Sequence, residues 1–174
     1  MEDAEGYLEL IRGDPFLGRM LASYERASKR GRNLDVLDYG CGYGWGSYVL
    51  SEFCSRVTGY DPDEGRISFA ERIFIKENIR FCPEEQALAG RCYDMACLFM
   101  VLPYVKEADT LLEKLGGYVR QGGVVYLSYK SGHRRLPLVL EQWEEAEGFS
   151  LLTRKERYLT ESENLIECSY CKNR

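Results

Sequence analysis

The chain has 174 residues, 45% of them hydrophobic, and a net charge of −5, a composition typical of a single soluble globular domain. The acidic balance argues against a nucleic-acid partner, because phosphate binding needs a clustered basic surface. No apolar run approaches the roughly 20 residues that cross a bilayer, and residues 1–5 do not begin a signal peptide, so we expect a cytoplasmic protein without membrane contact.

Hydrophobic periodicity predicts one domain in which strands and helices alternate behind a helical cap, residues 1–32. Asp14-Pro15 is typical of a helix start, with an N-cap followed by proline at the first helical position. The predicted strands are 34–39, 56–60, 78–82, 93–99, 124–129, 149–158 and 164–171. The predicted helices are 44–54, 63–76, a brief one after residues 83–87, 106–119 and 136–147.

This order predicts an α/β fold: a doubly wound, Rossmann-like, seven-stranded sheet with helices on both faces. Strands 1–5 should be parallel, and a polar turn should join the last two strands into an antiparallel hairpin. Gln121-Gly122-Gly123 is expected to form a turn before strand 5. Within the single domain, residues 33–130 would be the ligand-binding core and 131–174 a C-terminal helix and hairpin.

Four glycines, at positions 40, 42, 44 and 46, lie between the first strand and the next helix. Glycines allow positive φ and let a ligand lie against bare main chain, and a helix start adds a positive dipole end. The loop therefore predicts a nucleotide-like ligand. Asp61 ends the second strand 21 positions beyond Gly40, a spacing that suits a carboxylate accepting from ribose hydroxyls. The alternative is that Asp61 only caps the following helix.

The dinucleotide fingerprint fits poorly, because Trp45 stands where its third glycine belongs and a shifted frame ends at Ser47. Asp38 would also repel a pyrophosphate, whereas it suits a ligand with an ammonium group. These residues predict a nucleoside with a zwitterionic tail and no phosphates.

The chain resembles the class I S-adenosylmethionine-dependent methyltransferases, small members with a minimal core. Residues 37–44 resemble their first motif, hydrophobic-(D/E)-x-G-x-G-x-G, and four further segments follow in the family's order: 57–62, 81–87, 93–105 and 122–126. The resemblance covers about residues 16–130. It implies S-adenosylmethionine as the cofactor and a methyl acceptor that is a small polar metabolite, modified on oxygen or nitrogen.

The resemblance also implies roles for individual residues. Gly40, Cys41 and Gly42 would carry the main chain under the methionine part, and Asp38 would order its ammonium group. Asp61 would bind the ribose hydroxyls and Pro62 would pack on the adenine. The remaining implied contacts are Glu85 or Gln86 with the adenine amino group, and the backbone of Phe99 and Met100 near the sulfonium.

A hydroxyl acceptor needs a general base, and His133, the only histidine, is the candidate, with Arg134 and Arg135 available for an anionic substrate. The plainer interpretation is an exposed loop histidine beside two solvated arginines. Tyr104 and Tyr24 are alternative pocket residues.

Two other functions stay open. Because few residues are inserted between the strands, a second copy or a partner subunit could complete the pocket, or the chain could be a non-catalytic cofactor-binding or scaffolding subunit. An NAD-dependent oxidoreductase ranks third. The seven cysteines are expected to be reduced core residues, and the Cys168–Cys171 pair predicts no metal site, since it has no partner pair.

Overall fold

The computed structural model describes residues 3–158 and 164–173. The chain forms two compact units, Met1–Ala89 and Gly90–Arg174, and each is described in turn. Within the described residues, no helix is both long and apolar enough to cross a bilayer.

The first unit consists of three parallel strands with helices before and between them. Its elements are α1 (Ala4–Gly13), α2 (Pro15–Arg30), β1 (Asp35–Tyr39), α3 (Trp45–Leu50), β2 (Arg56–Tyr60), α4 (Glu64–Ile73), β3 (Ile79–Cys82) and a 3-10 turn, η1 (Glu85–Leu88). The strand order is β3-β2-β1. In this register Tyr39, the last residue of β1, lies opposite Tyr60, the last residue of β2, so the loops that follow both strands start side by side.

Helix α2 begins where the sequence predicts. Oδ1 of Asp14 accepts from the amides of Phe16 and Leu17 at 2.8 and 2.7 Å, and Pro15 occupies the first helical position. The helix ends at Gly31, and its buried face includes Met20, Leu21 and Tyr24. The predicted N-cap is therefore confirmed.

The core of the first unit lies against helix α4. Ile67, Ala70 and Phe74 are buried there, together with Cys41 and Phe81. Gly44 belongs to the same contact, because a Cβ added there would lie 2.5 Å from Cβ of Ala70 and 2.9 Å from the Phe81 ring. The third glycine of the loop is thus required by packing.

The second unit combines a parallel strand pair with an antiparallel hairpin. Its elements are β4 (Tyr93–Phe99), a 3-10 turn η2 (Leu102–Tyr104), α5 (Ala108–Tyr118), β5 (Val119–Lys130), α6 (Leu136–Glu147), β6 (Phe149–Tyr158) and β7 (Asn164–Lys172). The order is β4-β5-β7-β6, with β4 and β5 parallel and the other pairs antiparallel. The described residues thus contain seven strands of the predicted types. The polar turn predicted between β6 and β7 lies outside the described residues.

The turn predicted before strand 5 is wrong. Strand β5 begins at Val119, directly after helix α5, and residues 121–123 lie inside it as a bulge. Val119 pairs with Tyr93, whereas Val124 already pairs with Met95, so four residues of β5 oppose a single residue of β4. The first glycine of the bulge has a φ of 76°, and at the second an added Cβ would meet backbone oxygens at 2.9 Å. Glycines suit a bulge for the same reasons that they suit a turn.

Candidate functional site

The glycine loop between β1 and α3 adopts a backbone that favours glycine. Gly40, Gly42 and Gly44 have φ values of 77°, 57° and 85°. A Cβ added at Gly42 would meet no atom within 4 Å, in contrast to the packed Gly44. The main chain at Gly42 therefore faces open space, and this is the point where a ligand can lie against it.

Four amides of this loop donate within the chain. The amides of Gly40 and Cys41 both donate to the carbonyl oxygen of Tyr60, at 2.7 and 2.9 Å. The amide of Gly42 donates to Oδ2 of Asp61 at 3.0 Å, and that of Gly44 to the Cys41 carbonyl at 3.1 Å. Loops that hold phosphates do so with free backbone N–H groups. Each of these four amides already has an acceptor within the chain, so none of them is free to bind a phosphate. This favours a ligand without phosphates.

Asp61 lies directly after β2 and is 5% exposed. Besides Gly42, it accepts from the amide of Asp63, at 3.1 Å to Oδ1, and the Arg66 guanidinium lies 3.7 Å from Oδ2. The N-cap of α4 is Asp63, whose side chain accepts from the amide of Arg66, so the interpretation of Asp61 as that cap is wrong. Each carboxylate oxygen has two lone pairs, so both oxygens of Asp61 retain acceptor capacity for a pair of hydroxyls.

Asp38 is fully buried and accepts from two hydroxyls of its own chain. Tyr24 Oη donates to Oδ1 at 3.1 Å, and Ser47 Oγ donates to Oδ2 at 2.7 Å. Burial raises the pKa of Asp38 to about 7, although both hydrogen bonds act in the opposite direction. The carboxylate thus joins helix α2, strand β1 and helix α3. Its predicted contact with a ligand's ammonium group stays a prediction.

Gly46, the fourth glycine of the loop, leaves room for the ring of Tyr24, whose hydroxyl donates to Asp38. A Cβ added at Gly46 would lie 2.2 Å from the ring of Tyr24, so only glycine lets that ring approach α3. The ring also packs edge-on against Trp45, with the two centroids 5.1 Å apart. The sequence analysis gave no separate role to Gly46 and missed Ser47 as a partner of Asp38, since no local pattern marks either contact.

The predicted adenine-side residues differ in their surroundings. Tyr39 Oη donates to Oε1 of Glu85 at 2.8 Å, and the Tyr39 ring lies 4.7 Å from that of Tyr60. Glu85 is therefore held beside the ends of β1 and β2. Gln86 and Pro62 are exposed.

In the second unit, Phe99 ends strand β4 and is buried, and Met100 follows it with a φ of 60°. The amide of Met100 donates to both the carbonyl and the hydroxyl of Ser128, at 3.1 and 3.2 Å. A non-glycine residue in this region is uncommon and carries strain. Tyr104, in η2, is 76% exposed.

His133 is half-buried and lines a pocket with Lys106, Asp109 and Arg135. Its Nδ1 atom is buried, and no partner for it occurs among the described residues. Arg134, its immediate neighbour, is exposed and does not line this pocket. The structure therefore separates the two arginines that the sequence grouped together.

The described part of the chain contains no cluster of three or more metal-binding side chains of the His, Cys, Asp or Glu types. The seven cysteines all lie within the described residues, and none of them forms a disulfide. Cys168 is buried and Cys171 only half-buried, as expected for residues three apart on one strand.

Residues 14–156 match a protein family described as a methyltransferase domain, and the chain belongs to this family. The match confirms the class that the sequence motifs indicated, the S-adenosylmethionine-dependent methyltransferases with a Rossmann-like fold.

Curated relatives match a shorter stretch. A probable S-adenosylmethionine-dependent methyltransferase of Mycolicibacterium smegmatis is 27% identical over 106 residues, covering 60% of this chain and 41% of that protein. A ubiquinone biosynthesis O-methyltransferase of Mesorhizobium japonicum is 28% identical over 108 residues, covering 59% of this chain and 43% of that protein. The match thus spans less than half the length of these relatives.

Solved structures share the fold over most of the chain. The N-methyltransferase NodS of Bradyrhizobium japonicum, in complex with S-adenosyl-L-homocysteine, superposes with a TM-score of 0.77 at 18% identity, covering 92% of this chain and 89% of that one. Magnesium protoporphyrin IX methyltransferase of Synechocystis, with S-adenosylmethionine bound, has a TM-score of 0.70 at 20% identity, covering 90% and 77%. The predicted fold class is confirmed.

Proposed function

We propose that this protein is an S-adenosylmethionine-dependent methyltransferase that modifies an oxygen or nitrogen atom of a small polar metabolite. The observation that carries the proposal is the glycine loop: open space over Gly42, amides that donate within the chain, and the buried acceptor Asp61 beside them. This combination suits a nucleoside without phosphates, and membership of the methyltransferase family agrees with it.

In this proposal the chain's own residues bind and orient the cofactor. Asp61 accepts from the ribose hydroxyls, the main chain at Gly42 lies under the methionine part, and Glu85 faces the adenine. Phe99 and Met100 stand near the reacting group. The cofactor supplies an already activated methyl group, so the protein needs only to align the acceptor and exclude water.

The choice between oxygen and nitrogen depends on the acceptor. Several relatives are named as O-methyltransferases, and NodS is named as an N-methyltransferase. An amine that is already neutral needs no base, whereas a hydroxyl does. We favour a hydroxyl acceptor, with His133 as its base and Tyr104 as a further pocket residue, because the O-methyltransferase of Mesorhizobium japonicum is 28% identical over its match, against 18% for NodS.

We also infer a cytoplasmic location and an acceptor pocket completed by a second copy or a partner subunit. Five buried thiols that form no disulfide suit a reducing compartment.

The cofactor assignment is tested at Asp61. Isothermal titration should show that the wild-type protein binds S-adenosylmethionine and S-adenosylhomocysteine but not NAD. Asp61→Asn should weaken cofactor binding roughly ten- to a hundredfold, because two hydrogen bonds from the ribose lose their charged acceptor. Asp63→Asn is the matched control two residues away, and it should bind within about twofold of wild type, since asparagine also caps helices well.

Binding of NAD in preference to S-adenosylmethionine would contradict the proposal. So would equal losses in the two variants when circular dichroism shows both to be folded.

Turnover separates an enzyme from a passive subunit. Release of S-adenosylhomocysteine should be measured against a panel of hydroxylated and amine metabolites. If S-adenosylhomocysteine is released by the wild type but not by Asp61→Asn, the result supports the interpretation of the chain as an enzyme. Tight cofactor binding without turnover on any acceptor, alone or with a partner subunit, would favour the non-catalytic alternative.

A further inference from the structure

A pocket of the second unit lies between the starts of helices α5 and α6, and we call it the α5–α6 pocket. Its charged lining consists of Lys106, Asp109, His133 and Arg135, and its apolar wall includes Leu102 and Leu136. The cavity volume is about 90 Å³. A water molecule occupies about 30 Å³ in the liquid, so the pocket has room for a carboxylate and a few carbon atoms.

The charges in this pocket are unbalanced. Lys106 and Arg135 face a single carboxylate, that of Asp109, and in the described parts of the chain neither cation forms an ion pair. Nδ1 of His133 is buried without a partner among the same residues. A buried polar nitrogen without a partner costs free energy, and an incoming polar group can remove that cost.

Both helices begin at the pocket without a side-chain cap. The N-cap position of α5 is Glu107 and that of α6 is Arg135, and neither side chain accepts from a backbone amide. Helix α6 also lacks an acidic residue in its first turn. A helix N-terminus favours negative charge, so an arginine there is unfavourable by itself. An anion in the pocket would offset both the cations and the open helix ends.

The lining also selects among anions. The apolar wall suits a carbon skeleton, whereas a free phosphate would lose its hydration against it. Asp109 repels any anion, and it repels a dianion more than a monoanion. The small volume admits only the acidic end of a larger molecule.

We propose that the α5–α6 pocket binds the carboxylate end of a small amphipathic monocarboxylic acid. This binding site is independent of the function proposed above.

The single histidine provides the readout. Sodium butyrate is titrated into the full-length protein in place of sodium chloride at constant ionic strength, and the ring signals of His133 are followed by NMR. We expect a saturating shift with a Kd in roughly the millimolar range, consistent with a ligand of few atoms. Butyramide, the neutral isostere, should give no saturating shift, and inorganic phosphate should bind more weakly than butyrate.

Three variants and one matched control locate the site. Lys106→Gln and Arg135→Gln should each weaken butyrate binding about tenfold, the loss of one charge-assisted hydrogen bond. Asp109→Asn should tighten it severalfold by removing the repulsion, a gain that misfolding cannot produce. Arg134→Gln removes the same charge one residue away from the lining and should stay within about twofold of wild type.

The proposal is overturned if butyrate gives no saturating shift, if phosphate binds as tightly as butyrate, or if the Arg134 and Arg135 variants are equally weakened. S-adenosylmethionine binding, measured on the same samples, should be unchanged in Lys106→Gln and Arg135→Gln. A wild-type protein that binds butyrate but not the cofactor would refute the proposed function and leave the carboxylate site standing.

Discussion

Asp38 is a fully buried carboxyl group, and each of its two oxygens accepts a hydrogen bond from a hydroxyl of the chain. The contact with a ligand's ammonium group that its motif implies stays a prediction. The sequence identified the carboxylate through its motif. It could not identify Tyr24 and Ser47 as the partners of Asp38, because contacts between residues 14 and 9 positions apart on different elements depend on how those elements pack.

The buried carboxyl of Asp38 should make stability depend on pH. Burial raises its pKa from 3.8 to about 7, so between these values the folded state binds more protons than the unfolded state. Stability from this group therefore falls as pH rises through that window. Relative to Asp38→Asn, the wild type should lose on the order of 2 kcal/mol of unfolding free energy between pH 5 and 8, measured with urea.

The titration can also be observed directly. The carboxyl carbon of Asp38, followed by NMR in the folded protein, should titrate with a midpoint near 7. A midpoint below 5 would show that the group is charged in the folded state throughout this range, and the expected slope would then be absent.

Among the elements, helix α2 and strand β4 were predictable because their signals are local. The Asp14-Pro15 start and the Gly31 end fix α2, and the apolar run of β4 matches its observed bounds, Tyr93–Phe99. The start of β5 was not predictable. Two consecutive glycines indicate a turn or a bulge equally well, and only the pairing with β4 distinguishes the two.

The N-cap of helix α2, Asp14, should contribute measurably to the free energy of unfolding. Asp14→Ala removes an acceptor shared by two amides and should lower the unfolding free energy by about 1 kcal/mol. Asp14→Asn keeps a capping oxygen and should retain most of that stability. Urea unfolding of both variants measures the difference. Equal losses would indicate that the negative charge, and not the cap, stabilises the helix.

For the molecule as a whole, the seven thiols report on folding. Cys92 is exposed, Cys171 is half-buried and the other five are buried, at positions 41, 54, 82, 97 and 168. Burial also raises the pKa of Cys41 and of Cys54, the latter to about 12, which suppresses the reactive thiolate.

A colorimetric thiol reagent should therefore label one site quickly in the native protein, a second slowly, and five only after unfolding. Cys92→Ser should abolish the fast phase and leave the later ones unchanged. Rapid labelling of three or more thiols in the native protein would contradict the described packing.

The hydrogen bonds from the glycine loop to Tyr60 and Asp61 have a consequence for competition in the cell. ATP and other abundant phosphorylated metabolites share the adenosine half of the expected cofactor, so recognition of that half cannot reject them. The amides of Gly40, Cys41 and Gly42 already donate to the Tyr60 carbonyl and the Asp61 carboxylate, so these three donors are not available to a phosphate. Exchanging exposed residues around the loop would leave them occupied, and converting the site to a nucleotide binder would require rebuilding the acceptors at the end of β2.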